Sequence, residues 1–324
     1  MDGSDLFPAS SSMGARKPAP TLNMFFPYRD ETKELNEDTR KSAGGSFISL
    51  PNGITHYEMS DSSPLLEGEG LGVRSPVILI HGFSVPYFIY DPTFEFLARS
   101  GFHVLRYDLF GRGFSDRPRA PYNLDLFVKQ LADLLNALSF PGPVDLIGLS
   151  MGGPIAAAFS VRYPERVDKL ALIDPTGVKP ITSSPMLKFA KMPIIAEVIL
   201  ALAGNASLLK SAASDFYDPE WVEHFRSKYK LQMQYKGFKR AILSTIRNDM
   251  LGSFMDIYQA LGKMDKDVLL FWGRNDTTVP FEHSNELRAV LPRVQFHAIE
   301  NCGHIPHFEK PHEVNPILLE FLRQ

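Results

Sequence analysis

A doubly wound, mostly parallel α/β sheet, flanked by helices and carrying an inserted helical cap, is the fold class this chain of 324 residues predicts. Three observations lead to it. Runs such as Pro76-Val77-Ile78-Leu79-Ile80, Leu170-Ala171-Leu172-Ile173 and Val268-Leu269-Leu270-Phe271-Trp272 are apolar without alternation, as strands buried on both faces must be. Stretches with a helical apolar period, Leu124 to Leu138 most clearly, alternate with them, which is the pattern of parallel strands joined by crossover helices. That alternation stops after Asp174-Pro175-Thr176-Gly177 and resumes only at Asp267, so the segment between is an insertion sitting over the strand ends.

The expected organisation is therefore a loose N-terminal arm over residues 1–45, a sheet-bearing core over 46–178 and 266–324, and a helical cap over 179–265. Composition narrows the function classes. With 44% hydrophobic and 22% charged residues the chain is globular, and a net charge of -3 gives no general attraction to nucleic acid or an anionic membrane. Cys302 is the only cysteine, which excludes an internal disulfide and favours a reducing compartment. No apolar run approaches the roughly 20 residues of a membrane span. The N-terminus lacks the basic-then-apolar order of a secretory signal, so a soluble, cytoplasmic protein is expected.

Along the chain, the arm shows little periodicity beyond one short helix near Asp30 to Lys41. Two alternating runs around Asn52-Gly53 predict a hairpin, and the Ser-, Gly- and Glu-rich stretch Asp61 to Ser75 predicts an exposed connection. After the strand at 76–80, Asp91 to Arg99 predicts a helix with Pro92 at its first position, and Phe102 to Tyr107 a second buried strand. The Gly111 and Gly113 pair that follows is a tight loop and not a dinucleotide signature, since no helix opens before Pro118. Within the cap, helices are expected at Met186 to Leu202, split at Pro193, then Pro219 to Lys230, Gly237 to Asn248 and Met255 to Leu261. The run His224, Arg226, Lys228, Lys230, Lys236, Lys239 and Arg240 reads as a solvated basic face, with attraction to an anionic substrate or peripheral contact to a membrane through the cap as the other reading. Strands at Asp267 to Gly273 and Val294 to Ile299 and an amphipathic helix at Glu313 to Leu322 close the core.

Chemistry concentrates at the strand ends. Val144, Leu146 and Ile147 run into Gly148-Leu149-Ser150-Met151-Gly152-Gly153, and a small-residue helix start follows, so Ser150 sits at the apex of a sharp strand-to-helix turn. Such a turn forces the serine backbone into a strained region, and glycines at 148 and 152 remove the Cβ atoms that would collide there. Pro154 in the first helical turn loses no hydrogen bond. The Met151 N–H lies at the positive end of that helix, where an oxyanion can be held. Asp276 and His304 also follow buried strands, which puts all three side chains on one rim of the sheet.

Taken in chain order, the strings HGF (81–83), DLFGRGFSD (108–116), GLSMGG (148–153), GRNDTTVP (273–280) and GHIPHFEKP (303–311) resemble the α/β-hydrolase family in its cap-bearing serine esterase or lipase form, over residues 46–324. The resemblance implies a Ser150 nucleophile, a His304 base and an Asp276 that orients the imidazole, with the Phe83 and Met151 backbone N–H groups as the oxyanion hole. Asp174, also after a strand, is a rival for the acid. Ser84 is a candidate third donor, His81 a brace for its loop and His307 a structural residue. Met186, Phe189 and Met192 are candidates for lining an acyl or aromatic pocket. Nothing calls for a cofactor. A His304, His307 and His312 metal site is disfavoured because Pro306 and Pro311 interrupt any helix that would align them. The expected function is hydrolysis of carboxylic esters, of acyl or acylglycerol type, through an acyl-enzyme. A carbon–carbon bond hydrolase or enol-lactonase on the same triad, and a non-catalytic receptor on the same fold, are the alternatives.

Overall fold

The computed structural model describes residues 28–60, 75–140, 142–181, 189–192 and 194–324. Its strands are β1 (Ser46–Leu50), β2 (Gly53–Met59), β3 (Val77–Ile80), β4 (Val104–Tyr107), β5 (Val144–Leu149), β6 (Val167–Ile173), β7 (Asp267–Gly273) and β8 (Gln295–Ile299). They form one eight-stranded sheet in the order β1-β2-β4-β3-β5-β6-β7-β8. The β1–β2 hairpin and the β2–β4 pair are antiparallel, and the other pairs are parallel. Every residue of β3, β4 and β5 is buried, which accounts for their unbroken apolar character.

The helices are α1 (Glu37–Lys41), α2 (Asp91–Arg99), α3 (Leu124–Ala137), α4 (Gly152–Arg162), α5 (Ile195–Ser214), α6 (Glu220–Gln232), α7 (Phe238–Arg247), α8 (Met255–Leu261), α9 (His283–Val290), α10 (Pro306–Glu309) and α11 (Pro311–Arg323). The period-2 geometry of a strand divides its side chains between two layers. Ile78 and Ile80 join the cluster containing Leu131 of α3 and Ile155 of α4. Val77 and Leu79 join Leu97 of α2 and Leu318 of α11 on the other face. The chain winds from β3 outward to β4 and then crosses back to β5, so the carboxyl ends of β3 and β5 flank the crevice where the winding reverses.

The structure departs from the expectations in four places. From Tyr28 onward the arm is packed rather than loose: the buried Glu31 carboxylate accepts hydrogen bonds from the Gly237 and Lys239 N–H groups at the start of α7 (2.7 and 2.6 Å). Part of the basic run is engaged in ion pairs rather than simply solvated, with Lys228 on Asp91, Lys236 on Glu34 and Lys239 on Asp30. Helix α5 continues twelve residues past Leu202, because Ala196, Leu200, Gly204, Leu208 and Ala212 bury one stripe at four-residue spacing. It is the one described helix long and apolar enough, by length and composition, to cross a membrane. Finally, α8 packs on α4 instead of joining the cap, with the Tyr258 hydroxyl donating to the Thr176 carbonyl at 2.7 Å.

Candidate active site

Ser150 sits at φ +52 at the end of β5, in the strained turn its neighbours imply. A Cβ at Gly148 would stand 2.5 Å from the Gly152 carbonyl oxygen, and one at Gly152 would collide with the Ile80 carbonyl, so only glycine fits either position. The turn is held by backbone bonds: the Ser150 N–H donates to Ile173 O at 2.9 Å, and the Gly153 and Thr176 N–H groups donate to Ser150 O at 2.9 and 3.1 Å. Gly82, after β3, runs against it, since a Cβ there would lie 3.1 Å from the Ser150 Cβ. His81 anchors that loop. Its Nε2 accepts from the Leu109 N–H at 2.9 Å, its Nδ1 bonds the Gly82 carbonyl at 2.9 Å, and burial pushes its pKa down to about 4, so it stays neutral.

Asp276 follows β7. One carboxylate oxygen accepts from the Thr278 and Val279 N–H groups at 2.7 and 2.8 Å, and the other bonds His304 Nδ1 at 2.7 Å. A neutral imidazole held this way points its Nδ1 proton at the carboxylate and leaves Nε2 free to accept a proton. Burial pulls the His304 pKa down, but the charge and hydrogen bond of Asp276 and the charge of Asp215 more than offset it, and the net direction is up. Ser150 and His304 line the same cavity, of about 520 Å³, together with Phe83 and Ser84.

Asp174 adds a second buried carboxyl. Its Oδ1 accepts from the Gly273 N–H at 2.9 Å, while Oδ2 has no hydrogen-bond partner among the described residues. Burial and the neighbouring Asp276 charge hold its carboxyl well above the usual carboxylate range. Asp276, not Asp174, carries the bond to His304. Ligand atoms of Asp174, Asp276 and His304 lie within 4.8 Å of one another, a spacing a cation could use, yet the 2.7 Å Asp276–His304 bond already occupies two of the donors. His307 packs against the Tyr90 ring at 4.7 Å, and burial lowers its pKa to about 3.

Of the site residues expected from the sequence, Ser84 lines the cavity, whereas Phe189 and Met192 are not among its lining. Phe189 and Met192 are 43% and 44% exposed, and Met186 lies outside the described residues. The apolar wall comes instead from Leu208 and Ala212 of α5, Phe225 of α6 and Leu251. Asp215 and Lys210, which sequence reasoning missed, also line it. The signal for α5 was present in the four-residue stripe, but nothing local marks Asp215. Its carbonyl accepts the His304 N–H at 2.7 Å and its Oδ1 accepts the Thr278 hydroxyl at 2.6 Å. Burial raises its pKa to about 6, against the opposing pull of His304 and the Thr278 bond.

A strained serine turn on the middle strand of a parallel sheet, facing one cavity with a histidine–aspartate pair from the next strand ends, defines a hydrolase of the α/β class. The chain belongs to the α/β-hydrolase fold family, whose model matches residues 75–311. Among relatives, a 2-hydroxy-6-oxononadienedioate/2-hydroxy-6-oxononatrienedioate hydrolase of Pseudomonas putida is 28% identical over 264 residues, covering 79% of this chain and 89% of that protein. A solved meta-cleavage product hydrolase (CumD) from Pseudomonas fluorescens IP01 superposes with a TM-score of 0.68 at 26% identity, covering 86% of this chain and 97% of that one. An enol-lactonase from Burkholderia xenovorans LB400 superposes with a TM-score of 0.71 at 18% identity over 86% of this chain and all of that one, a likeness of fold.

Proposed function

We propose that this hydrolase cleaves carboxylic esters with an apolar acyl or aromatic part through an acyl-enzyme on Ser150. The observation that carries the reading is the His304 Nδ1–Asp276 bond of 2.7 Å, made by an imidazole that shares its cavity with Ser150. Ser150 Oγ attacks the ester carbonyl carbon while His304 Nε2 takes its proton, and Asp276 stabilises the imidazolium that forms. The Phe83 and Met151 N–H groups hold the oxyanion, each worth about 3 kcal/mol in the transition state. The intermediate collapses as His304 returns the proton to the departing alcohol, and water, deprotonated by the same nitrogen, then releases the acid. The apolar wall of Leu208, Ala212 and Phe225 suits such a substrate. The acylglycerol case belongs to the same reading.

Carbon–carbon bond cleavage is the second reading, favoured by the chain's similarity at 26–28% identity to a 2-hydroxy-6-oxononadienedioate hydrolase and a meta-cleavage product hydrolase. A panel of p-nitrophenyl esters from acetate to laurate, run beside a 2-hydroxy-6-oxo-dienoate, separates the two. Ester hydrolysis predicts burst kinetics and a fall of about 10⁴-fold or more in Ser150→Ala. Faster turnover of the dienoate than of any ester would favour the second reading. A folded protein inert to every substrate and to a fluorophosphonate would be a receptor on a hydrolase fold.

A further inference from the structure

We propose that Asp215 makes the cavity selective against carboxylates, so that the site admits uncharged acyl groups and expels the acid it forms; the second half of this statement rests on the ester reading above. Asp215 ends α5 and so belongs to the cap, yet it is bound into the catalytic rim. Its Oδ1 accepts the Thr278 hydroxyl at 2.6 Å, its carbonyl accepts the His304 N–H at 2.7 Å, and the preceding Ser214 carbonyl accepts the Thr277 hydroxyl at 3.1 Å. A Cβ on Gly303 would strike the Asp215 carbonyl, which shows how closely this cap segment lies on the histidine loop. The carboxyl is therefore held in place beside His304, in the cavity that Ser150 opens into.

Besides His304, Asp215 and Lys210 are the ionisable groups among the described lining residues. Lys210 is exposed and lies five residues earlier on α5, about 7 Å away along the helix axis. The cavity thus carries an acidic group bonded to the histidine loop and a basic group on the exposed side of α5. Ester cleavage creates a carboxylate beside Ser150 and His304. A second fixed negative charge in a cavity walled by Leu208, Ala212 and Phe225 repels it more strongly than bulk water would allow.

Calorimetric titration of benzoate and of its uncharged counterpart benzamide, at pH 8, into the full chain and into Asp215→Asn tests this. The asparagine keeps the acceptor for Thr278 and removes only the charge. The variant should bind benzoate at least about tenfold more tightly than the parent while benzamide moves by less than about threefold. Benzoate affinity that does not rise, an equal gain for both ligands, or no benzoate binding to the variant overturns the proposal. Asp215→Ser gives the same readout should the asparagine variant not fold. Because the measurement is of binding, a protein that hydrolyses no ester fails the functional reading without deciding this one.

Discussion

The catalytic rim and the cap are held by different kinds of contact. At the rim, backbone meets backbone: Ser150 N–H to Ile173 O, the Asp276 carboxylate on two consecutive N–H groups, and the Gly152 Cα against the Ile80 carbonyl. In the cap, distant side chains do the work, with Arg247 bridging Glu197 (2.7 and 3.1 Å) and the Ala190 carbonyl (2.8 Å), and Glu31 of the arm closing the start of α7. The cap also leaves apolar side chains in solvent, Leu202 at 83% exposure among them. A rim built from main-chain approaches tolerates almost no substitution, whereas a cap built from side-chain pairs can be rewritten while the sheet beneath stays the same.

The largest effect should therefore come from a single methyl group at the rim. Gly152→Ala drives its Cβ into the Ile80 and His81 carbonyls, which belong to a fully buried strand end and cannot move aside. Overpacking of this kind costs about 3 kcal/mol or more, so thermal denaturation should show a fall of about 5 °C or more. A melting temperature unchanged within 2 °C would mean that the rim yields as readily as the cap.

The same contrast explains what was legible in the sequence. Gly148, Ser150 and Gly152 announce the turn because sterics of adjacent residues dictate them, and the Asp276–His304 pair that the structure brings together was legible as two short strings, GRNDTTVP and GHIPHFEKP, that follow strand ends. The strands β3, β5, β6 and β7 were equally plain. Asp215 was not: its place beside His304 is set by hydrogen bonds to Thr278 and His304 across sequence separations of 63 and 89 positions, and no local pattern encodes them. The packed arm failed for the same reason, since Glu31 finds its partners some 206 positions away. Helix α9 was overlooked because its eight residues, HSNELRAV, bury only Ser284 and Leu287.

A smaller effect couples the two regions through charge. In the proposed mechanism His304 must be neutral to accept a proton, and Asp276 and Asp215 both raise its pKa against burial. The acid limb of kcat/KM should thus lie above 6.5, the ordinary histidine value, with activity lost as the pH falls through it. Removing the Asp215 charge in Asp215→Asn withdraws one of the raising influences, so the limb should move to lower pH. A limb that stays where it is, measured on the same substrate, would uncouple the cap from the base.

The smallest effect is expected at Gly204, and it sharpens the comparison because the chemical change is the one made at Gly152. Gly204 lies in the middle of α5 with a helical backbone, so alanine there gains about 1 kcal/mol of helix propensity. The new Cβ meets Leu200 Cδ1 at 2.8 Å and Cγ at 3.1 Å, which are atoms of a side chain that can turn about its own bonds. A rotamer adjustment costs about 0.5–1.5 kcal/mol, and the two contributions nearly cancel. Gly204→Ala should then melt within about 2 °C of the parent. A drop as large as that of Gly152→Ala would show that the buried stripe of α5 is packed as rigidly as the strand ends, because a leucine free to turn could not transmit so large a penalty.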